Sequence, residues 1–289
     1  MGLTRMILVA LAIAAVAFVI TLPLRTLRVT PGDLAMGRSL TRINTTTTLA
    51  TAAGLGVALW AWFTFPTIHV NATEVPGLLA ALGPTLAGLV FLSVTAAAEA
   101  TWRRPTGAQR AAHLTRRPLF SRALPWATRA LWAWGGLLAA ALVTFGVIAE
   151  PDGRSLAHAP GTGGCLIDGV PVPCDGGASG PFPGFPYGVP MLAGAALLLT
   201  ATLAVLHLVA RRPAVWGTST ADDDLLRTIS ATRVVRGSQL ALGASLAGVL
   251  FFAGTTAFNA GWWWAWAAIV GAVAILGAAF AVALRRVGP

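Results

Sequence analysis

Two ionisable side chains lie at the inner ends of apolar stretches of this chain: Glu99, just after the stretch 78–98, and His207, in the last turns of the stretch 189–210. An ionisable group within a membrane helix is a functional candidate by default. If those two helices meet, carboxylate and imidazole form an intramembrane polar pair able to handle a proton. A structural role is also open to each. Glu99 precedes Arg103 by four residues, a spacing that pairs them on one helix face for a few tenths of a kcal/mol. His207 stands shortly before Arg211, where a neutral imidazole near the interface can simply bond a neighbour.

The remaining chemistry-bearing residues fall outside the apolar runs. Asp222, Asp223 and Asp224 could offer carboxylate oxygens to a divalent cation. Three successive helix positions point in different directions, however. With Thr218, Ser219 and Thr220 just before them, the run reads as a helix start, where carboxylates suit the positive end of the dipole. No metal site is expected. Cys165 and Cys174, the two cysteines, flank an Asp168–Gly169 turn signal. A tight hairpin there sets Ile167 opposite Val170 and Cys165 opposite Val172, with Cys174 one diagonal step away on the same face. A disulfide between them is expected if the loop faces an oxidising compartment.

Enzyme signatures are missing. The chain has no zinc-protease helix, no nucleophile elbow, no phosphate-loop lysine and no paired intramembrane carboxylates. All 20 basic residues are arginine, so Schiff-base cofactor chemistry has no amine to use. No cofactor, no catalytic residue and no enzymatic activity are expected. A nucleic-acid partner is not expected either, because no folded basic surface is evident despite a net charge of +10.

The elements that must hold these residues are membrane spans. Of 289 residues, 56% are hydrophobic and 10% charged, against about 25% charged in a soluble domain. Seven apolar stretches, 6–22, 46–63, 78–98, 130–148, 189–210, 239–257 and 262–284, are each long enough to cross about 30 Å of hydrocarbon. The segments after the first, third, fifth and seventh stretches hold eighteen of the twenty arginines; the opposite side holds Arg5 and Arg154. Arginine-rich loops stay in the cytosol. The expected fold is therefore an all-α membrane protein of seven transmembrane helices in the cell membrane. Its N-terminus is extracytosolic, its C-terminus is cytosolic, and its inner face suits anionic lipid. The first stretch reads as a retained helix because four arginines follow it at once. Trp60, Trp62 and Trp262–Trp264 fall at the outer interface, and Trp102, Trp126, Trp132 and Trp216 near the inner one, where amphipathic rings anchor.

The segment 33–59 aligns without gaps to 224–250. The shared polar pattern includes Asp33 with Asp224, Ser39 with Ser230, Thr41 with Thr232 and Arg42 with Arg233. The chain thus divides into a first three-helix half (1–101), an arginine-rich cytosolic loop (102–128), a linking fourth helix (129–149), an extracytosolic Gly/Pro loop lying over the bundle mouth (150–189) and a second three-helix half (190–289). This 3+1+3 parallel layout resembles that of the SWEET sugar transporters in topology alone. Those proteins carry prolines within helices one, two, five and six, and here none sits mid-helix in those four. The runs Trp102–Gly107 and Ala210–Val215 resemble those of uncharacterised multi-pass integral membrane proteins of high-GC actinobacteria, and that resemblance implies no activity.

Two functional readings follow. One is an accessory, sensory or scaffold protein that meets a membrane-protein partner or a second copy of itself. The other is a small-solute transporter with a path between the halves, which requires a wide polar cavity at mid-membrane. Small-xxx-small spacings at Gly54/Ala58 and Ala244/Gly248 point to close helix packing.

Overall fold

The computed structural model describes residues 34–64, 68–70, 73–102, 125–167, 170–174, 176–215 and 218–285. Six helices account for most of them: α1 (Leu34–Thr64), α2 (Leu78–Ala100), α3 (Pro125–Ile148), α4 (Phe185–Arg211), α5 (Thr220–Asn259) and α6 (Ala265–Leu284). All six are long and apolar enough to cross a membrane. They correspond to the second through seventh apolar stretches. The first stretch, Asp33 and the arginine-rich segment 103–124 lie outside the described residues.

Where polar sequence flanks an apolar stretch, the helix continues through it. α1 begins twelve residues before its stretch, and α5, at 40 residues, begins nineteen before. At 1.5 Å per residue α5 is about 60 Å long, roughly twice the hydrocarbon thickness. Its start is set by Ser219, whose hydroxyl accepts the Asp222 backbone N–H and donates to the Asp222 carboxylate. The aspartate run therefore opens a helix, as its spacing predicts. α4 starts at Phe185, four residues earlier than expected, with proline in its first turn. Pro190 thereby falls inside the helix instead of at its mouth, which corrects the expectation of an uninterrupted fifth span.

α5 is the central element. It packs along α6 and α3 and also contacts α2 and α4, while α1 lies mainly against α2. Small residues set these approaches. A β-carbon added at Gly88 would lie 2.8 Å from the Ala241 methyl and 2.9 Å from Leu198, closer than carbon atoms pack. Gly54 meets the Ala87 carbonyl in the same way, whereas Gly248 faces open space. The expected Gly54 contact thus exists, and a β-carbon at Gly248 would meet nothing among the described residues. Buried polar groups bridge helices between these contacts. Thr202 bonds Ser238 at 2.7 Å, Thr85 bonds Ser245 at 3.2 Å, and Gln239 joins the Trp134 indole to the Ala279 carbonyl at 3.0 Å each.

Short strands decorate one end of the bundle. β1 (Ile68–Val70) pairs with β2 (Thr73–Val75), β3 (Leu156–Ala157) with β6 (Ala178–Ser179), and β4 (Gly163–Ile167) with β5 (Val170–Cys174), all antiparallel. The β4–β5 register sets Cys165 opposite Val172 and Ile167 opposite Val170, as the hairpin reading requires. The turn at 168–169 and the two cysteine side chains lie outside the described residues.

The described part of the 150–184 loop folds back onto the bundle. Phe182 is fully buried with its ring centroid 5.5 Å from that of Phe145. Thr256 donates to the Pro181 carbonyl at 2.6 Å, and the Trp262 indole donates to Ala157 at 2.7 Å. Gly261, at φ 78°, turns the chain from α5 into α6 directly against Thr162.

Candidate functional site

Alternating helix directions gather the described arginines other than Arg154 at one end of the bundle. The end of α2, the end of α4 and the start of α5 meet there around a buried network of charge. Arg212, with its side chain wholly buried, lies 3.4 Å from the Glu99 carboxylate and 3.9 Å from Asp223. Asp223 also takes Arg227 at 2.8 Å, one helical turn further on. Arg227 in turn donates to the carbonyls of Val209, Ala210 and Arg212 at 3.1, 3.2 and 2.9 Å. These are the orphan acceptors that the end of α4 leaves behind, and a guanidinium suits that negative terminus.

Glu99 is thus buried as an ion-pair partner of Arg212. His207 lies on the exposed face of α4. The intramembrane pair expected from the sequence is not formed, because α4 turns Leu206 and Val209 inward and carries the imidazole away from the carboxylate. The alternative partner of Glu99, Arg103, lies outside the described residues.

Two tryptophans at this end, Trp102 and Trp126, carry cations on their rings. Arg42 and Arg212 stand 4.8 and 4.4 Å from the Trp102 ring centroid; Arg236 and Arg285 stand 5.5 and 5.2 Å from that of Trp126. Anchoring in the headgroup layer is therefore an incomplete account of these two residues: they screen like charges held close together. Arg42 also reaches across from α1 to the end of α2, donating to the Ala98 carbonyl at 3.0 Å and the Thr101 hydroxyl at 2.8 Å. Arg236 makes the matching reach from α5 to the Arg285 carbonyl at the end of α6.

Between α1, α2 and α5 lies a cavity of 20 Å³, room for about one water molecule. Arg42 and Arg233, the matched arginines of the two aligned segments, both line it, with Glu99, Trp102 and Ser230. Arg233 donates to Thr47 at 2.8 Å and Asn44 at 2.5 Å. The Ser230 hydroxyl is buried and has no hydrogen-bond partner among the described residues. Asp224, the other described member of the aligned pattern, is exposed and lines nothing here. Among the described residues no group of three or more His, Cys, Asp or Glu side chains is placed to hold a metal.

Sequence reasoning missed the roles of Arg212, Asp223, Arg227 and Trp102. Two signals touched this site: the ionisable Glu99 at the inner end of its apolar stretch, and the alignment of Arg42 with Arg233. No protein-family model, curated protein or solved structure matches the chain.

Proposed function

We propose that this chain is a non-enzymatic integral protein of the cell membrane, acting through contacts with a membrane-protein partner or a second copy of itself. In this reading it crosses the bilayer seven times, with the N-terminus outside and the arginine-rich end in the cytosol. The observation that carries it is the dry contact of α2 with α4 and α5: Gly88 seats against Leu198 and Ala241, and a β-carbon at Gly237 would lie 2.5 Å from the Phe91 ring. A solute path between the halves needs a polar opening at that depth, and the cavity described above is water-sized and lies at the arginine end. The parallel-repeat arrangement rests on the alignment of 33–59 with 224–250; the matched arginines make different contacts, Arg42 with the end of α2 and Arg233 with Thr47 and Asn44 of α1. Orientation follows from the gathered arginines.

Two measurements test the reading. In intact cells, a membrane-impermeant maleimide should label Ala178→Cys, on the exposed Gly/Pro loop, and spare Ala221→Cys, at the start of α5. The reverse pattern overturns the orientation. Protein purified in mild detergent should run as a self-assembly or a stoichiometric complex. A monomer that takes up solute in proteoliposomes would favour the transporter reading instead.

A further inference from the structure

We propose that the crevice between Arg42 and Arg233 binds a phosphate-type oxyanion at the arginine end of the bundle. Two guanidinium groups face it from α1 and α5, and both are bonded only to neutral acceptors: the Ala98 carbonyl and Thr101 hydroxyl for Arg42, Thr47 and Asn44 for Arg233. The carboxylate in its wall, Glu99, is already engaged by Arg212. Arg212 itself keeps Nε and Nη2 without a hydrogen-bond acceptor. Arg227 and Asp223 neutralise one another. Among the described residues, the immediate surroundings of the crevice therefore carry more guanidinium than carboxylate groups, and a desolvated cation without a counter-ion is costly.

The Ser230 hydroxyl adds an orphan donor. Ser230 is 3% exposed, lines the crevice and has no partner. Two guanidinium forks and a hydroxyl around an oxygen-sized space match one non-bridging oxygen of a phosphate, with the phosphorus and its substituents at the mouth. That oxyanion belongs either to an anionic lipid headgroup or to free phosphate. The lipid source rests on the cytosolic orientation proposed above, since basic pockets between helices on that face meet anionic headgroups. The free source does not.

The test uses the full chain purified in a neutral detergent, with its unfolding midpoint followed against short-chain phosphatidylglycerol, phosphatidylcholine or inorganic phosphate. Phosphatidylglycerol, phosphate or both should raise the midpoint saturably, and phosphatidylcholine should not. Protection by phosphate alone assigns a free anion; protection by phosphatidylglycerol alone assigns a headgroup. Arg233→Gln should weaken the apparent Kd about tenfold, as loss of a charge-assisted hydrogen bond does. Ser230→Ala should leave the ligand-free midpoint unchanged, because the hydroxyl has no protein partner, and weaken binding about threefold. If Arg233→Gln does not fold, Ser230→Ala carries the test alone. Equal protection by phosphatidylcholine, no protection by either anion, or unaltered affinity in Ser230→Ala overturns the site. None of these outcomes depends on the maleimide result, so the two readings fail separately.

Discussion

The two ends of the bundle solve the same problem with different materials. At the arginine end, helix termini are joined by charged side chains: Arg212 links α2 to α5 through Glu99 and Asp223, and Arg227 covers the end of α4. At the opposite end the joints are neutral. Hydroxyl and indole groups donate to loop carbonyls, as Thr256 does to Pro181, Trp262 to Ala157 and Tyr187 to Pro76, and apolar contact adds to them through Phe145, Phe182 and Trp264. Charge fixes partners strongly and fails badly when one partner is lost, because the survivor stays buried and unpaired. Neutral joints each contribute less, about 1 kcal/mol, and tolerate individual loss. The molecule should therefore be brittle at one end and forgiving at the other.

The sharpest way to break that contrast is to remove Arg212. Arg212→Met leaves the buried Glu99 carboxylate without its cation, while Asp223 keeps Arg227, and should cost about 3–5 kcal/mol, read as a drop in the unfolding midpoint in mild detergent. Adding Glu99→Gln should recover much of the loss. A single variant as stable as the parent would remove the claim of brittleness. At the other end, replacing Cys165 and Cys174 by serine should cost about 2–3 kcal/mol if they are bridged, since a short loop is then released. Alkylation with and without reductant checks the bridge directly, and two free thiols in the mature protein would remove this prediction.

Between the ends, packing alone is at stake. Gly88→Ala should destabilise by about 1–3 kcal/mol through overpacking, while Gly248→Ala, facing open space, should stay within about 0.5 kcal/mol of the parent. Equal effects would mean that α2 and α5 are not in close contact. The smallest effect is expected at Asp152, in the loop between α3 and α4. Burial pushes its carboxyl upward, but the Arg154 and Ser155 N–H groups and the Ser155 hydroxyl outweigh that and hold it below its ordinary value of 3.8. A depressed acid stabilises the fold above its unfolded pKa and loses that contribution as pH falls through the folded one. Acidification below about pH 4 should loosen residues 150–155, seen by proteolysis, and Asp152→Asn should abolish the pH dependence of that loosening.

Much of this architecture was legible in the sequence because bilayer solvation is a blunt constraint. Six apolar stretches became six helices, the gathering of arginines at one end followed from their spacing, and the hairpin register of Cys165 with Val172 followed from a turn signal. Helix boundaries were hidden from hydropathy, and only the aspartate run marked one, the start of α5. Polar residues such as Asp223 and Arg227 look like loop when hydropathy is the only guide, yet Ser219 starts a helix that carries them inward, where pairing makes their burial tolerable. The site escaped for a related reason. Glu99 was visible as an intramembrane acid, but its partner is set by which face of α4 turns inward, and Arg212 lies just past that helix. Arg42 and Arg233, matched by internal alignment, also pointed there, and nothing in their spacing says that both reach one crevice.

The unbroken run of α5 has a mechanical consequence. From Arg227 to Thr256 it spans about 44 Å at 1.5 Å per residue, so a tilt of about 5° pivoting near Thr256 swings Arg227 by about 4 Å. That displacement matches the 3.9 Å between Asp223, on the same rod, and Arg212, just past α4. A tilt of α5 that barely moves its Thr256 end is thus as large, at the arginine end, as the separation within an ion pair.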